Sequence, residues 1–274
     1  MTDESPMPLG DLHSHLVPGV DDGARTLDES LEAVGLMQEA GIGRIVTTPH
    51  LRASLLQDRE AAEERIGQVE TAFHRLEAAL ADGYPEVELA RGFEIKLDVP
   101  DPDLDDPRVR MAGTPFVLVE WPRLRVPPGT SAVLSRIRAS GWIPIVAHPE
   151  RYHGLDAELR MPRAWRQAGA LLQVNHGSVV GRYGGEARSR ALHLLQAGVV
   201  DYLSSDHHPR PGHGLDVEAV RSFFREAEAE ESFERMTAVN PSRLLAGELP
   251  VEVPGFTVRR GLFGRLGDML GGRN

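Results

Sequence analysis

The sequence predicts an α/β protein of the parallel-barrel type, and three observations carry that prediction. Seven short runs rich in apolar and β-branched residues recur along the chain, separated by polar clusters and helix-like stretches. Several runs end in histidine or carboxylate residues, and a parallel barrel gathers its functional groups at the carboxyl ends of its strands. The length of 274 residues, with 41% hydrophobic content, suits one large domain, since barrels of about 250 residues commonly form a single one.

The first run, LGDLHSH, places His13 and His15 two apart. Side chains alternate along a strand, so both point to one side and can share one metal ion. The stretch TLDESLEAVGLMQEAG then predicts a helix, with Thr26 as N-cap, Glu29 completing a capping box and Gly41 as the stop. RIVTTPH (44–50) ends at His50, and a helix is expected over 57–82. EVELARGFEI (86–95) brings Glu94, and the Pro- and Asp-rich LDVPDPDLDDPR (97–108) reads as a surface loop. PFVLVEW (115–121) carries Glu120 and IPIVAHPER (143–151) carries His148, with a helix over 130–140 between them. A helix over 161–168 leads to ALLQVNHG (170–177), and one over 186–197 to VDYLSSDHH (200–208), which holds Asp206 and His208. A last helix is expected over 215–230. His74 and His193 fall inside helix-like stretches and read as surface or packing residues.

The chain divides into an N-terminal extension (1–9), one large domain (10–250) and a basic amphipathic tail (251–274). In the tail, Leu262, Phe263, Leu266, Met269 and Leu270 recur at helical spacing beside Arg259, Arg260 and Arg265. That pattern suits a membrane surface or a protein partner, although a final helix packed on the barrel or a frayed end is the plainer reading.

Composition narrows the chemistry. A formal charge of −11 argues against nucleic acid as the general partner, because such binding draws on lysines and arginines that displace counterions. The sequence shows neither a basic start followed by an apolar run nor an apolar stretch long enough to span a bilayer, so the expected location is cytoplasmic. There is no cysteine, which removes disulfides, thiolate nucleophiles and thiolate metal sites. Nitrogen and oxygen donors remain, and so many at strand ends suit more than one divalent ion of the Mn, Fe or Zn type. Burying them without cations would be very costly.

Together DLHSHLVPGVDDGA, TTPH, GFEI, VEWP, AHPERY and SSDHH resemble the PHP (polymerase and histidinol phosphatase) superfamily. They look most like its bacterial capsule-associated, manganese-dependent protein-tyrosine phosphatases, and the likeness runs from about residue 10 to 246. The resemblance implies a distorted TIM-like (β/α)7 barrel with three metal ions at the C-terminal mouth of the strands. One ion would take His13, His15, Glu94 and Asp206. A second would share Glu94 and add Glu120 and His148, and the third would take Asp22, His50 and His208. Other superfamily members often carry a histidine where Asp22 stands, and the acid matches the tyrosine-phosphatase branch. Arg151 matches the family's phosphate-contacting arginine, and its planar fork suits two phosphate oxygens. Arg210 is the second candidate, in a loop, HHPRPGHG, that is shorter than the family pattern.

The implied activity is hydrolysis of phosphotyrosine on a protein, with the tail of a bacterial tyrosine autokinase that controls capsule or exopolysaccharide export as the implied partner. Two alternatives stay open: a small-molecule phosphatase, such as one acting on histidinol phosphate, and a noncatalytic metal-stabilised module that docks the kinase. Asp21 is expected to orient the loop, His207 to point away from the ligands by strand alternation, and Asn175 and His176 to line the mouth without an assigned role.

Overall fold

The computed structural model describes residues 7–155, 158–210 and 215–258. The first half of the chain runs β1 (Leu9–Ser14), α1 (Leu27–Glu39), β2 (Ile42–Thr47), β3 (His50–Arg52), α2 (Arg59–Gly83), β4 (Glu88–Arg91), β5 (Glu94–Lys96) and β6 (Phe116–Glu120). It continues through α3 (Thr130–Ala139), β7 (Ile143–Ala147), α4 (Arg160–Gln167), β8 (Leu171–Asn175), α5 (His176–Val180), α6 (Gly185–Gln196) and β9 (Tyr202–Ser204). The last helices are α7 (Val217–Glu226), α8 (Glu230–Glu234) and α9 (Asn240–Leu245), with a π-helical turn (Arg235–Val239) before α9.

Every strand pair is parallel, in two sheets ordered β1-β2-β4 and β3-β5-β6-β7-β8-β9. β2 and β3 are one run broken at Thr48 and Pro49, where proline lacks the amide the ladder needs. β4 and β5 are likewise one run broken at Gly92 and Phe93, where Gly92 passes so close to Met111 that an added Cβ would lie 3.0 Å from its Cα. Each broken run leaves one sheet and enters the other, so the nine segments make seven continuous strands, as the sequence predicts. β9 returns to β1 at their carboxyl ends: the His15 amide donates to the His207 carbonyl at 2.9 Å and the Asp206 amide to the His13 carbonyl at 2.8 Å. This short seam closes the distorted TIM-like barrel and gathers all strand ends at one mouth.

The helices begin and end where local chemistry dictates. The Thr26 hydroxyl accepts from the Glu29 amide at 3.2 Å, and Gly41 follows α1 with φ +86°, a conformation glycine adopts without a Cβ penalty. Half of the expected capping box is replaced, because the Glu29 carboxylate accepts from the Arg25 amide at 2.8 Å. The Asp58 carboxylate caps α2 through the amides of Glu60 and Ala61. The helix expected over 215–230 stops at Glu226, and the short α5, α8 and α9 were not foreseen.

Beneath the mouth Trp121, Trp165 and Tyr152 pack together, each buried. The Trp165 indole donates to Thr130 Oγ1 at 2.8 Å, and the Trp121 amide donates to the Tyr152 hydroxyl at 3.0 Å, which ties β6 to the segment after β7. Past residue 250 the chain stays on the body: Val253 and Val258 are buried, and the Val251 amide donates to the Asn240 side chain at 2.8 Å. The apolar and basic residues singled out in the tail lie outside the described residues.

Candidate metal centre

The nine metal-ligand candidates named from the sequence meet at one site at the barrel mouth. β1 supplies His13, the segment after it His15 and Asp22, β3 His50, β5 Glu94, and β6 Glu120. His148 follows β7 directly and Asp206 lies two residues past β9, and both hold left-handed backbone, with φ of +34° and +52°. Such conformations cost energy in non-glycine residues and concentrate where a side chain must be aimed.

Four donor atoms form the deepest group. His13 Nε2 lies 3.3 Å from His15 Nε2, 3.3 Å from Glu94 Oε2 and 3.4 Å from Asp206 Oδ1, while His15 Nε2 lies 3.4 and 3.5 Å from the same two oxygens. A tetrahedral ion with ligands about 2.1 Å away has ligand edges of about 3.4 Å, so these spacings fit a divalent ion. Second, His50 Nδ1 stands 3.0 Å from Glu94 Oε2 and 3.5 Å from Glu120 Oε1. The Nδ1 is buried without a hydrogen bond and the Glu120 oxygen has Lys96 beside it at 3.1 Å, so a shared cation would give the imidazole nitrogen a partner. Third, Asp22 Oδ1 lies 3.4 Å from His50 Nε2 and 3.3 Å from His208 Nε2, and His15 stands in the same group. The expected grouping shifts in two ways. His50 rather than His148 sits with Glu94 and Glu120, and His148 comes within reach of His13 and Asp206 while its Nε2 stays 2.9 Å from Glu94 Oε1.

Burial is graded across the cluster: His13 is 0% and Glu94 1% exposed, whereas the Asp22 side chain is 59% exposed. Burial alone lowers the His13 pKa, yet Glu94 and Asp206 outweigh it and push it up to about 9. Burial raises the Glu94 and Asp206 carboxyls, and the facing histidines, His13 foremost, override it and hold both well below their usual range. The cluster therefore attracts positive charge, and metal binding would displace protons.

A layer of partners fixes the donors. Gln173 Oε1 lies 2.9 Å from His13 Nδ1, leaving Nε2 for the cluster, and the Gln173 amide donates to Asn175 Oδ1 at 2.9 Å. Asn175 in turn donates to Asp206 Oδ2 at 2.7 Å. Asp21 does orient the loop: its Oδ2 lies 2.7 Å from His15 Nδ1 and accepts from the His50 amide at 3.1 Å. Gly23 lets that loop close on β1, since an added Cβ would lie 2.1 Å from the His15 carbonyl oxygen. Gln173 and Lys96 were missed in the sequence. The Lys96 ammonium stands 3.1 Å from Glu120 Oε1, and its position two after Glu94 on one strand was the signal that could have found it.

Arg151 donates to Asp206 Oδ2 at 2.7 Å and lies 4.3 Å above the Tyr183 ring, an arrangement the sequence did not disclose. Arg210 donates to the Asp22 carbonyl at 3.2 Å and is half exposed. Both arginines line a cleft of about 570 Å³ that opens over the cluster, and His176 and His207 line it too. His176 is buried with neither ring nitrogen bonded, and burial pushes its pKa down to about 4. His74 and His193 are exposed and lie away from the cleft. Among the described residues, no helix is long and apolar enough to cross a membrane.

Residues 9–246 match the family model described as capsular polysaccharide synthesis, CpsB/CapC. The chain belongs to this family. Among CpsB/CapC relatives, the tyrosine-protein phosphatase YwqE of Bacillus subtilis is 27% identical over 206 residues, covering 72% of this chain and 76% of YwqE. The tyrosine-protein phosphatase CpsB of Streptococcus pneumoniae is 28% identical over 212 residues, covering 72% of this chain and 82% of CpsB. A solved structure from work on YwqE and CpsB, described as unique metal-dependent tyrosine phosphatases, superposes with a TM-score of 0.71 at 24% identity, covering 92% of this chain and 100% of that one. The organophosphorus hydrolase of Deinococcus radiodurans superposes with a TM-score of 0.51 at 15% identity, covering 87% of this chain and 92% of that one. These two likenesses concern the fold.

Proposed function

We propose that this CpsB/CapC chain is a metal-dependent phosphatase that removes phosphate from phosphotyrosine on a protein. The observation that carries the reading is the convergence of nine nitrogen and oxygen donor residues along and beneath one open cleft, which Arg151 also lines, in a chain without cysteine. The names of YwqE and CpsB as tyrosine-protein phosphatases support the substrate class. His13, His15, Glu94 and Asp206 would hold one ion, Glu94 and Glu120 a second with His50 beside both and His148 in reach of Glu94, and Asp22, His50 and His208 a third. Manganese is the proposed metal, and iron or zinc suits the same donors. Bound divalent ions supply a nucleophile at neutral pH and absorb charge on the phosphoryl oxygens.

The chain's own groups do the rest. Arg151 spends one N–H on Asp206 and keeps others for the phosphoryl oxygens, while Tyr183 holds the guanidinium plane. Arg210, at the exposed edge beside Asp22, is the second phosphate contact we propose. Gln173 and Asn175 fix His13 and Asp206 so that neither rotates as charge develops. Lys96 screens Glu120 from an incoming anion.

The family's tie to capsular polysaccharide synthesis supports a cytoplasmic tyrosine autokinase as the physiological substrate. Comparing kcat/KM on a phosphotyrosine peptide with kcat/KM on histidinol phosphate tests the reading. The peptide should win; a clear preference for histidinol phosphate would replace this proposal with the small-molecule one.

A further inference from the structure

The cleft over the metal centre is bordered by cations, although the chain as a whole carries a formal charge of −11. Four of its lining cations are engaged: Lys96 with Glu120, Arg151 with Asp206, Arg182 with Asp216 and Arg210 with Asp22. Arg123 also lines the cleft, is exposed, and makes no ion pair among the described residues. Arg125, two residues on and exposed as well, makes none either.

The backbone that carries them is unusual. Arg123 and Leu124, consecutive non-glycine residues, both hold left-handed backbone, with φ of +57° and +52°. The turn keeps that shape because both of its sides are pinned. The Trp121 amide donates to the buried Tyr152 hydroxyl, the His153 amide donates to the Leu124 carbonyl at 2.8 Å, and Arg125 bridges to His153. Strain held in place beside a site marks a side chain being aimed. Here the aimed side chain is a guanidinium without a carboxylate, at the lip of the cleft that receives the phosphoryl group.

We infer that Arg123, with Arg125 beside it, reads carboxylate side chains flanking the phosphotyrosine, so that the preferred substrate is an acidic phosphopeptide. The inference rests on the phosphatase reading of the same cleft and adds the sequence class of the peptide. A carboxylate on the substrate finds an unpaired planar fork at this lip, where a lysine meets like charge. The contact lies at an exposed rim, so it governs encounter and affinity and is weakened by salt.

The test uses the full chain loaded with Mn²⁺ and nonhydrolysable phosphonate peptides that mimic phosphotyrosine, with Glu, Gln or Lys at flanking positions. Binding is read by calorimetry, and hydrolysis of the matching phosphotyrosine peptides is followed in parallel. The Glu peptide should bind tighter than the Gln peptide by roughly two- to fivefold per acidic residue, the range of an exposed ion pair. That ratio should fall toward one in Arg123→Gln, invert in Arg123→Glu, and shrink at about 0.5 M salt. Equal binding of the three peptides by the wild type, or an unchanged ratio in Arg123→Gln, would overturn the inference. Hydrolysis without charge preference leaves the phosphatase reading and removes this one. Charge preference without hydrolysis of any peptide does the reverse, keeping an acidic ligand at the lip while the phosphatase reading falls.

Discussion

Gln173 carries no chemistry of its own, yet it decides which nitrogen His13 offers. Its Oε1 holds Nδ1, so Nε2 faces the cluster. Gln173→Leu should weaken metal binding by about 10–100-fold, as loss of such outer partners commonly does, and metal retained after dialysis against a graded chelator series measures it. Arg151→Ala should cut phosphotyrosine hydrolysis by about 100-fold or more, the scale of losing a charged group aimed at developing anionic charge. Its metal content should hold, because Asn175 still fixes Asp206 Oδ2; loss of the ions would make Arg151 a structural residue. Eight of the nine ligand candidates were legible in the sequence because histidines and acids at the ends of apolar runs stand out, whereas Asp22 came only from the family resemblance. Gln173 and Asn175 were less so, since an amide gains meaning only once its partner is known, and β8 meets His13 and Asp206 only through the closed barrel.

At the scale of elements, the DDGA loop does more than carry Asp22. Asp21 anchors it to His15 and His50, and Gly23 lets it lie against β1. Gly23→Ala places a methyl where the His15 carbonyl already stands, so it should cost about 1–3 kcal/mol in a denaturant titration, the usual cost of overpacking. It should also release the ion nearest Asp22 first. Wild-type stability in this variant would show that the loop can move aside. The strands and longer helices were readable because their periodicity is local: Thr26 and Gly41 frame α1, and Asp58 caps α2. The short α5, α8 and α9 exist through tertiary packing of residues such as Phe233, Leu244 and Asn240, which local pattern does not reveal. RIVTTPH and EVELARGFEI each read as one run in the sequence; that they break, at Pro49 and at Gly92, and pass from one sheet to the other follows only from closure.

At the scale of the whole molecule, stability and function share the same ionisable groups. Away from the centre, burial pushes the Asp201 carboxyl up to about 6 despite Arg166 beside it. A carboxyl that holds its proton more tightly when folded favours folding below its unfolded pKa of about 4, and that advantage is lost as pH rises through about 6. The melting-temperature difference between wild type and Asp201→Asn should therefore shrink between about pH 4 and pH 7; a growing difference would contradict the shift. Around the cluster, the histidines and carboxylates that cations hold together should separate on chelation, which predicts a lower melting temperature that Mn²⁺ restores. The measurement that bears most directly on the account combines metal content by mass spectrometry with a phosphotyrosine-peptide assay, before chelation, after it, and after Mn²⁺ return. The account predicts two to three ions per chain, as the donor groups allow, and activity that vanishes and returns with them. Full activity in protein stripped of metal would contradict it.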